Sequence, residues 1–150
     1  MHRIIMIIIL LVMPIVVSAQ VQRIDATGHT FELTTGGAAG TYRYTLLGNE
    51  LKYMSREWTE KKATVTIHTT QSFTLENGQL VSAKEIIREA YPPADSSFWS
   101  CNYVFKDGKM IDLVSTGHGK SEDDAWDPEK EVMENFRKVA AQVAKHIRRK

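Results

Sequence analysis

The sequence predicts an α+β domain in which an antiparallel sheet of about five to six strands is covered by a long C-terminal amphipathic helix. From residue 62 to 75, apolar and hydroxyl side chains alternate with a period of two, which is typical of a strand with one packed and one solvated face. Near the C-terminus, apolar residues instead recur with the 3.6-residue period of a helix. That stripe consists of Val132, Phe136, Val139, Val143 and Ile147.

The first 19 residues have the pattern of a cleavable secretory signal peptide. Arg3 supplies a positive charge, an uncharged apolar run extends from Ile4 to Val17, and Ser18-Ala19 offers small residues for cleavage before Gln20. We therefore expect a secreted or periplasmic protein. A retained membrane anchor is the alternative, although spanning a bilayer takes about 20 apolar residues. The sole cysteine, Cys101, is far from the cleavage point, which argues against a lipoprotein.

The composition of residues 20 to 150 predicts one globular domain. Taking 19 residues from the 150 leaves 131, with 18 basic and 18 acidic side chains. A chain of this length buries enough surface to fold without disulfides or metals. Its near-neutral charge argues against nucleic-acid binding. No cofactor motif is present, and the expected partner is an envelope protein or a glycan.

Several turn signals divide the chain before its midpoint. Residues 22–33 resemble an edge strand, and the glycine-rich segment Gly36 to Gly40 predicts a loop. Gly48-Asn49 predicts a tight turn between two short strands, Tyr42 to Leu47 and Leu51 to Trp58.

A short helix is predicted after Asn77-Gly78. Ser82 and Glu85 have the spacing of a helix capping box, and Pro92-Pro93 would end the helix soon after Ala90. Two further strands, residues 98–105 and 110–116, are predicted to form a hairpin around Asp107-Gly108.

The C-terminal helix is predicted to begin with Asp127 as N-cap and Pro128 as its first residue. Acidic residues gather near its start and basic residues at its end, which matches the helix dipole. The terminal cations also allow weak contact with an anionic surface. They are Lys145, Arg148, Arg149 and Lys150.

The loop from Gly117 to Trp126 is the segment most typical of a binding site, because it gathers several functional side chains on irregular backbone. It lacks the ligand spacing of an EF-hand and any closely spaced histidine pair, so no metal is predicted. Its candidate binding residues are His118, Glu122, Asp123, Asp124 and Trp126. The alternative is that its acidic residues only complement the helix dipole and that Trp126 closes the edge of the core.

A second candidate surface is the solvated face of the strand at residues 62 to 75. His68 lies there in a row of hydroxyls that includes Thr66 and Thr70. Such a row suits a carbohydrate or a partner strand, although it also suits an ordinary solvated strand. Cys101 alternates with aromatic residues, which predicts a buried and unreactive thiol.

These patterns predict an exported, non-enzymatic binding or accessory domain of the cell envelope or extracellular space, using the loop and the Thr/His face. One alternative is a small hydrolase or metal-assisted enzyme that uses His118 with Glu122, Asp123 or Asp124. Another is an inhibitor or accessory subunit that binds a partner through a sheet edge.

Overall fold

The computed structural model describes residues 26–35, 38–91 and 95–149. The predicted signal peptide, residues 1–19, lies outside the described residues, as do Gly36-Gly37 and Pro92-Pro93. Within the described part, no helix is both long and apolar enough to cross a membrane.

Within the described residues, seven antiparallel strands form one open sheet, and each strand pairs with the next one in sequence. The α+β class is confirmed, whereas the prediction of five to six strands is wrong because the sheet has seven. The strands are β1 (Ala26–Thr35), β2 (Ala38–Leu47), β3 (Glu50–Lys62), β4 (Val65–Glu76), β5 (Gln79–Tyr91), β6 (Asp95–Lys106) and β7 (Lys109–Gly117).

The additional strand is β5, where the sequence predicted a short helix. Asn77 and Gly78 both have positive φ, 50° and 75°, and form the tight turn of a β4–β5 hairpin. Ser82 is therefore a strand residue and not a helix cap. The period-two pattern of β5 is disguised because one residue on its buried face is the charged Glu85.

The boundaries of other predicted strands also shift. Residues 38–40 of the predicted loop belong instead to β2, which begins at Ala38. The strand predicted from residue 62 begins at Val65, after a turn at Ala63-Thr64 with Ala63 at a φ of 43°. The predicted turns at Gly48-Asn49 and Asp107-Gly108 are confirmed.

Helix α1 (Pro128–Ile147) confirms the predicted C-terminal helix and its cap. The backbone N–H of Lys130 donates to the Asp127 carboxylate at 3.0 Å, which satisfies one of the free donors of the first turn. Three valines of the predicted apolar stripe are buried, namely Val132, Val139 and Val143.

We call the sheet face that carries the buried apolar residues the core face. Cross-strand neighbours share a face, so the register Tyr44–Met54–Phe73–Ala83–Tyr103 marks one row of it, and all five residues are buried. The buried valines of α1 belong to the same apolar cluster. This cluster is the hydrophobic core of the protein.

Aromatic contacts show how α1 packs on the core face. Phe136 meets Phe73 of β4 edge to face, with ring centroids 5.7 Å apart. Near the end of the helix, His146 stacks on Phe31 of β1 at 4.2 Å. That the helix covers the whole sheet stays a prediction.

The opposite side of the sheet is called the outer face. It carries the alternate residues of each strand, and its central part is rich in hydroxyl groups. Members of this set are Thr41, Thr45, Ser55, Thr59, Thr66, Thr70, Ser72, Thr74, Ser82, Ser100 and Thr116.

Candidate functional site

The Gly117–Trp126 loop has one exposed pair at its tip. His118 Nδ1 lies 2.7 Å from Glu122 Oε1, and both side chains are exposed. The Asp123 carboxylate accepts a hydrogen bond from the backbone N–H of Ala125, whereas Asp124 is exposed and takes no part in the His118 pair. Among the described residues, no three His, Cys, Asp or Glu side chains are grouped so that they could hold a metal ion.

Lys120 anchors the same loop to the core face. Its ammonium group donates to Glu85 Oε2 at 3.0 Å and also to Glu131 of α1. Glu85 is only 4% exposed and accepts a further hydrogen bond from Gln71 Nε2 at 2.9 Å. Burial by itself lowers the pKa of Lys120, but the two carboxylates outweigh this effect and raise it. Lys120 is therefore a cation that joins the sheet, the loop and the helix.

Two tryptophans pack around this ion pair. Trp99 is buried, donates to the Ser121 hydroxyl at 3.2 Å, and lies 5.6 Å from the Lys120 ammonium. Trp126 meets Trp99 edge to face and donates to Glu131 Oε2 at 2.7 Å. Glu131 occupies the position where an apolar staple partner is usual, and a hydrogen bond replaces that apolar contact. Trp126 thus lies at the edge of the core.

Cys101 and Tyr103 are buried beside the Glu85 network. Burial raises the pKa of the Cys101 thiol, which disfavours the reactive thiolate. Burial and the nearby Glu85 carboxylate likewise raise the pKa of Tyr103, whose hydroxyl is buried. Tyr103, Glu85 and Gln71 line a cavity of about 10 Å³, which is close to the smallest size that admits one water molecule.

The outer face carries the second group of predicted residues. His68, Thr66 and Thr70 all point to that side of β4, as the period-two pattern predicts. His68 Nδ1 lies 2.8 Å from the Thr59 hydroxyl of β3. This contact fixes one ring nitrogen and leaves the other for a different partner.

His68 lines an open hollow of about 530 Å³ on the outer face. Its volume lies within the range of roughly 300–1,000 Å³ that is usual for small-molecule sites, although its lining is polar. Residues around it include Thr41, Glu57, Thr59, Thr70 and Arg88.

The charged groups of this hollow differ in their pairing. Glu57 lies 2.8 Å from Arg43 of β2, and the pKa of its carboxyl is lowered by that hydrogen bond. Arg88 of β5 lies 5.7 Å from the centre of the Phe98 ring, and no carboxylate among the described residues pairs with it. Arg88 is therefore available to bind an anion, whereas the carboxylate of Glu57 is already paired with Arg43.

The anchoring residues of the loop and the strand residues around His68 lie on opposite faces of the sheet. Lys120 and Trp126 attach the loop to the core face through Glu85 and Trp99. His68 and its hydroxyl neighbours lie on the other side of the sheet.

Sequence reasoning missed Arg88 because the segment from Ser82 to Ala90 was interpreted as a helix. As a strand, β5 places Lys84 and Arg88 on the outer face and Glu85 on the core face. The Asn77-Gly78 dipeptide is a strong hairpin signal. Interpreting the segment after it as a strand would have placed Lys84 and Arg88 on one face.

Comparison with known protein families, curated proteins and solved structures finds no match to this chain.

Proposed function

We propose that this protein is an exported, non-enzymatic domain that binds a polar component of the cell envelope or extracellular space through its outer face. The observation that carries the proposal is the distribution of side chains over the sheet. The apolar core and α1 occupy one face, while the other combines hydroxyl rows, His68, Arg88 and an open hollow. A site with polar walls suits a polar ligand, because unpaired polar groups are costly to bury.

Exposed aromatic groups support a recognition role for this face. The side chain of Phe98 is 43% exposed beside Arg88, and Tyr53 is 37% exposed on β3. Aromatic and arginine side chains are enriched where proteins recognise ligands and partners. Both aromatic residues lie on the outer face, where Tyr53 pairs with Thr74 and Phe98 pairs with Arg88.

Co-sedimentation with insoluble envelope or extracellular material tests the proposal. Replacing Phe98 and His68 together by alanine should reduce retention of the purified protein at least tenfold. His118→Ala, at an exposed position of the loop, is the matched control and should be retained like the wild type. Loss of retention only in the His118 variant would contradict the outer-face proposal and favour the loop.

A sheet edge is a second candidate surface. In the described sheet β7 ends the strand order, and it exposes Ile111 and Val114 at 61% and 56%. An edge with exposed apolar residues can accept a strand from a partner. We propose this as the binding mode if the protein is an inhibitor or accessory subunit. Ile111→Lys would then abolish partner binding without affecting retention on glycan material.

A further inference from the structure

From the placement of charges on the outer face, we infer that the ligand is a linear acidic polysaccharide that lies along β5 and bonds its carboxylates to Arg88 and Lys84. This inference rests on the proposed outer-face binding function and specifies its ligand class.

The cations of the outer face differ in whether they pair with a carboxylate. Among the described residues, neither Arg88 nor Lys84 has a carboxylate partner, whereas Arg43 on the same face is paired with Glu57. The strands that flank β5 carry no carboxylate on the outer face from residue 66 to 74 or from residue 96 to 104. The centre of the outer face is therefore positive, although the whole chain carries a formal charge of only +1.

The two unpaired cations are well separated along β5. Arg88 and Lys84 are four residues apart on one strand, which places them about 13 Å apart at roughly 3.3 Å per residue. Each lies beside its own hollow: Arg88 lines the hollow at His68, and Lys84 lines another of about 300 Å³. Two separated cations suit a polymer with charges at intervals better than one compact anion.

The side chains around these cations suit a carbohydrate. The hollow at Lys84 is bordered by Ser72, Thr74, Ser82 and Asn102, which offer hydroxyl and amide groups to a polyhydroxy ligand. The exposed ring of Phe98 presents a face of partial negative charge, on which the C–H groups of a sugar ring can pack. A guanidinium pairs well with a planar carboxylate. A polynucleotide would require a larger cluster of cations to neutralise its phosphates.

Affinity electrophoresis of the full chain tests the inference, with a linear polyuronate as the probe and its methyl-esterified form as the uncharged control. The wild type should be retarded by the polyuronate and not by the ester. Arg88→Gln and Lys84→Gln should each weaken binding about tenfold, and the double variant should weaken it further. Lys130→Gln, which makes the same charge change on the exposed side of α1, should bind like the wild type.

Each other outcome overturns the inference. Binding that is unchanged in Arg88→Gln, or equal on the ester, would show that carboxylates are not recognised there. If the polyuronate does not retard the wild type, while the Phe98 and His68 variant still loses retention on envelope material, the acidic ligand class is wrong and the outer-face function stands. If that variant keeps its retention as well, both proposals fail.

Discussion

The backbone conformation at position 117 and the neighbouring strand both require a glycine there. It ends β7 with a φ of 88°, a region that L side chains rarely adopt. A Cβ atom at this position would lie 2.0 Å from the carbonyl oxygen of Phe98. Because that oxygen belongs to the backbone of β6, only a shift of the strand would relieve the overlap.

We expect Gly117→Ala to destabilise the protein by at least about 2 kcal/mol, since positive φ in a non-glycine residue costs about 1–3 kcal/mol and the overlap adds to it. Gly28→Ala is the matched control, because a Cβ there meets nothing within 4 Å. Its unfolding free energy should be unchanged or slightly higher, as glycine weakens strands. Urea denaturation measures both variants, and equal losses would refute the explanation.

At the scale of elements, the Lys120 network joins parts of the chain that lie far apart in sequence. The ammonium bonds to Glu85 across 35 positions and to Glu131 at the start of α1. The side chain of Glu85 is nearly inaccessible to solvent. Its charge is therefore tolerated only while Lys120 and Gln71 remain beside it.

Removing the cation should accordingly be more costly than removing both charges. Breaking a buried ion pair costs about 3–5 kcal/mol, and because Lys120 is partly exposed we expect Lys120→Met to cost about 3 kcal/mol. Adding Glu85→Gln to that variant should restore part of the loss, because an amide is cheaper to bury than an unpaired carboxylate. Chemical denaturation of the two single variants and the double variant gives the coupling free energy.

Lys130→Met serves as the surface control for this experiment and should change stability by less than about 0.5 kcal/mol. A Lys120→Met variant as stable as this control would show that the ion pair contributes nothing to the fold.

In the molecule as a whole, the two faces of the sheet differ in how far their aromatic side chains are exposed to solvent. Phe73 on the core face is 2% exposed against Phe136, while Phe98 on the outer face is 43% exposed. The same residue type therefore has a structural role on one side of the sheet and is accessible on the other.

We expect Phe73→Ala to lower the unfolding free energy by about 3–5 kcal/mol, the usual cost of truncating a buried phenylalanine. Phe98→Ala should cost less than about 1 kcal/mol, since it removes an exposed ring and its contact with Arg88. Thermal or urea unfolding distinguishes the two. A similar loss for both would mean that the outer face is also packed.

Much of the fold was predictable because its signals are local. The alternation in β4, the Asp107-Gly108 turn and the Asp127 cap each depend on residues within a few positions of one another, and each was identified. The wrong prediction in β5 has a specific cause. Ser82 and Glu85 have the spacing of a helix capping box. Glu85 also points to the core face and so interrupts the apolar alternation on which strand prediction relies.

The candidate site was predictable only in part. The sequence identified His68, Thr66 and Thr70 as one polar face, since period two is enough to place them together. Arg88 and Phe98 join this face through pairing between β4, β5 and β6, which no local pattern encodes. The sequence also predicted the loop from Gly117 to Trp126 as a separate candidate surface, and Lys120 and Trp126 attach this loop to the core face.

Local sequence patterns were enough to predict six of the seven described strands, the turns at Gly48-Asn49 and Asp107-Gly108 and the capped helix, because these depend on backbone preferences and on the apolar pattern of neighbouring residues. The tertiary structure, in contrast, sets which charges are paired. It buried Glu85 against Lys120 and left Arg88 and Lys84 without carboxylate partners among the described residues. The physical reason is that the free energy of a charge depends on its distance from other charges and on its exposure to water, and both are set by strands that meet only in the folded sheet.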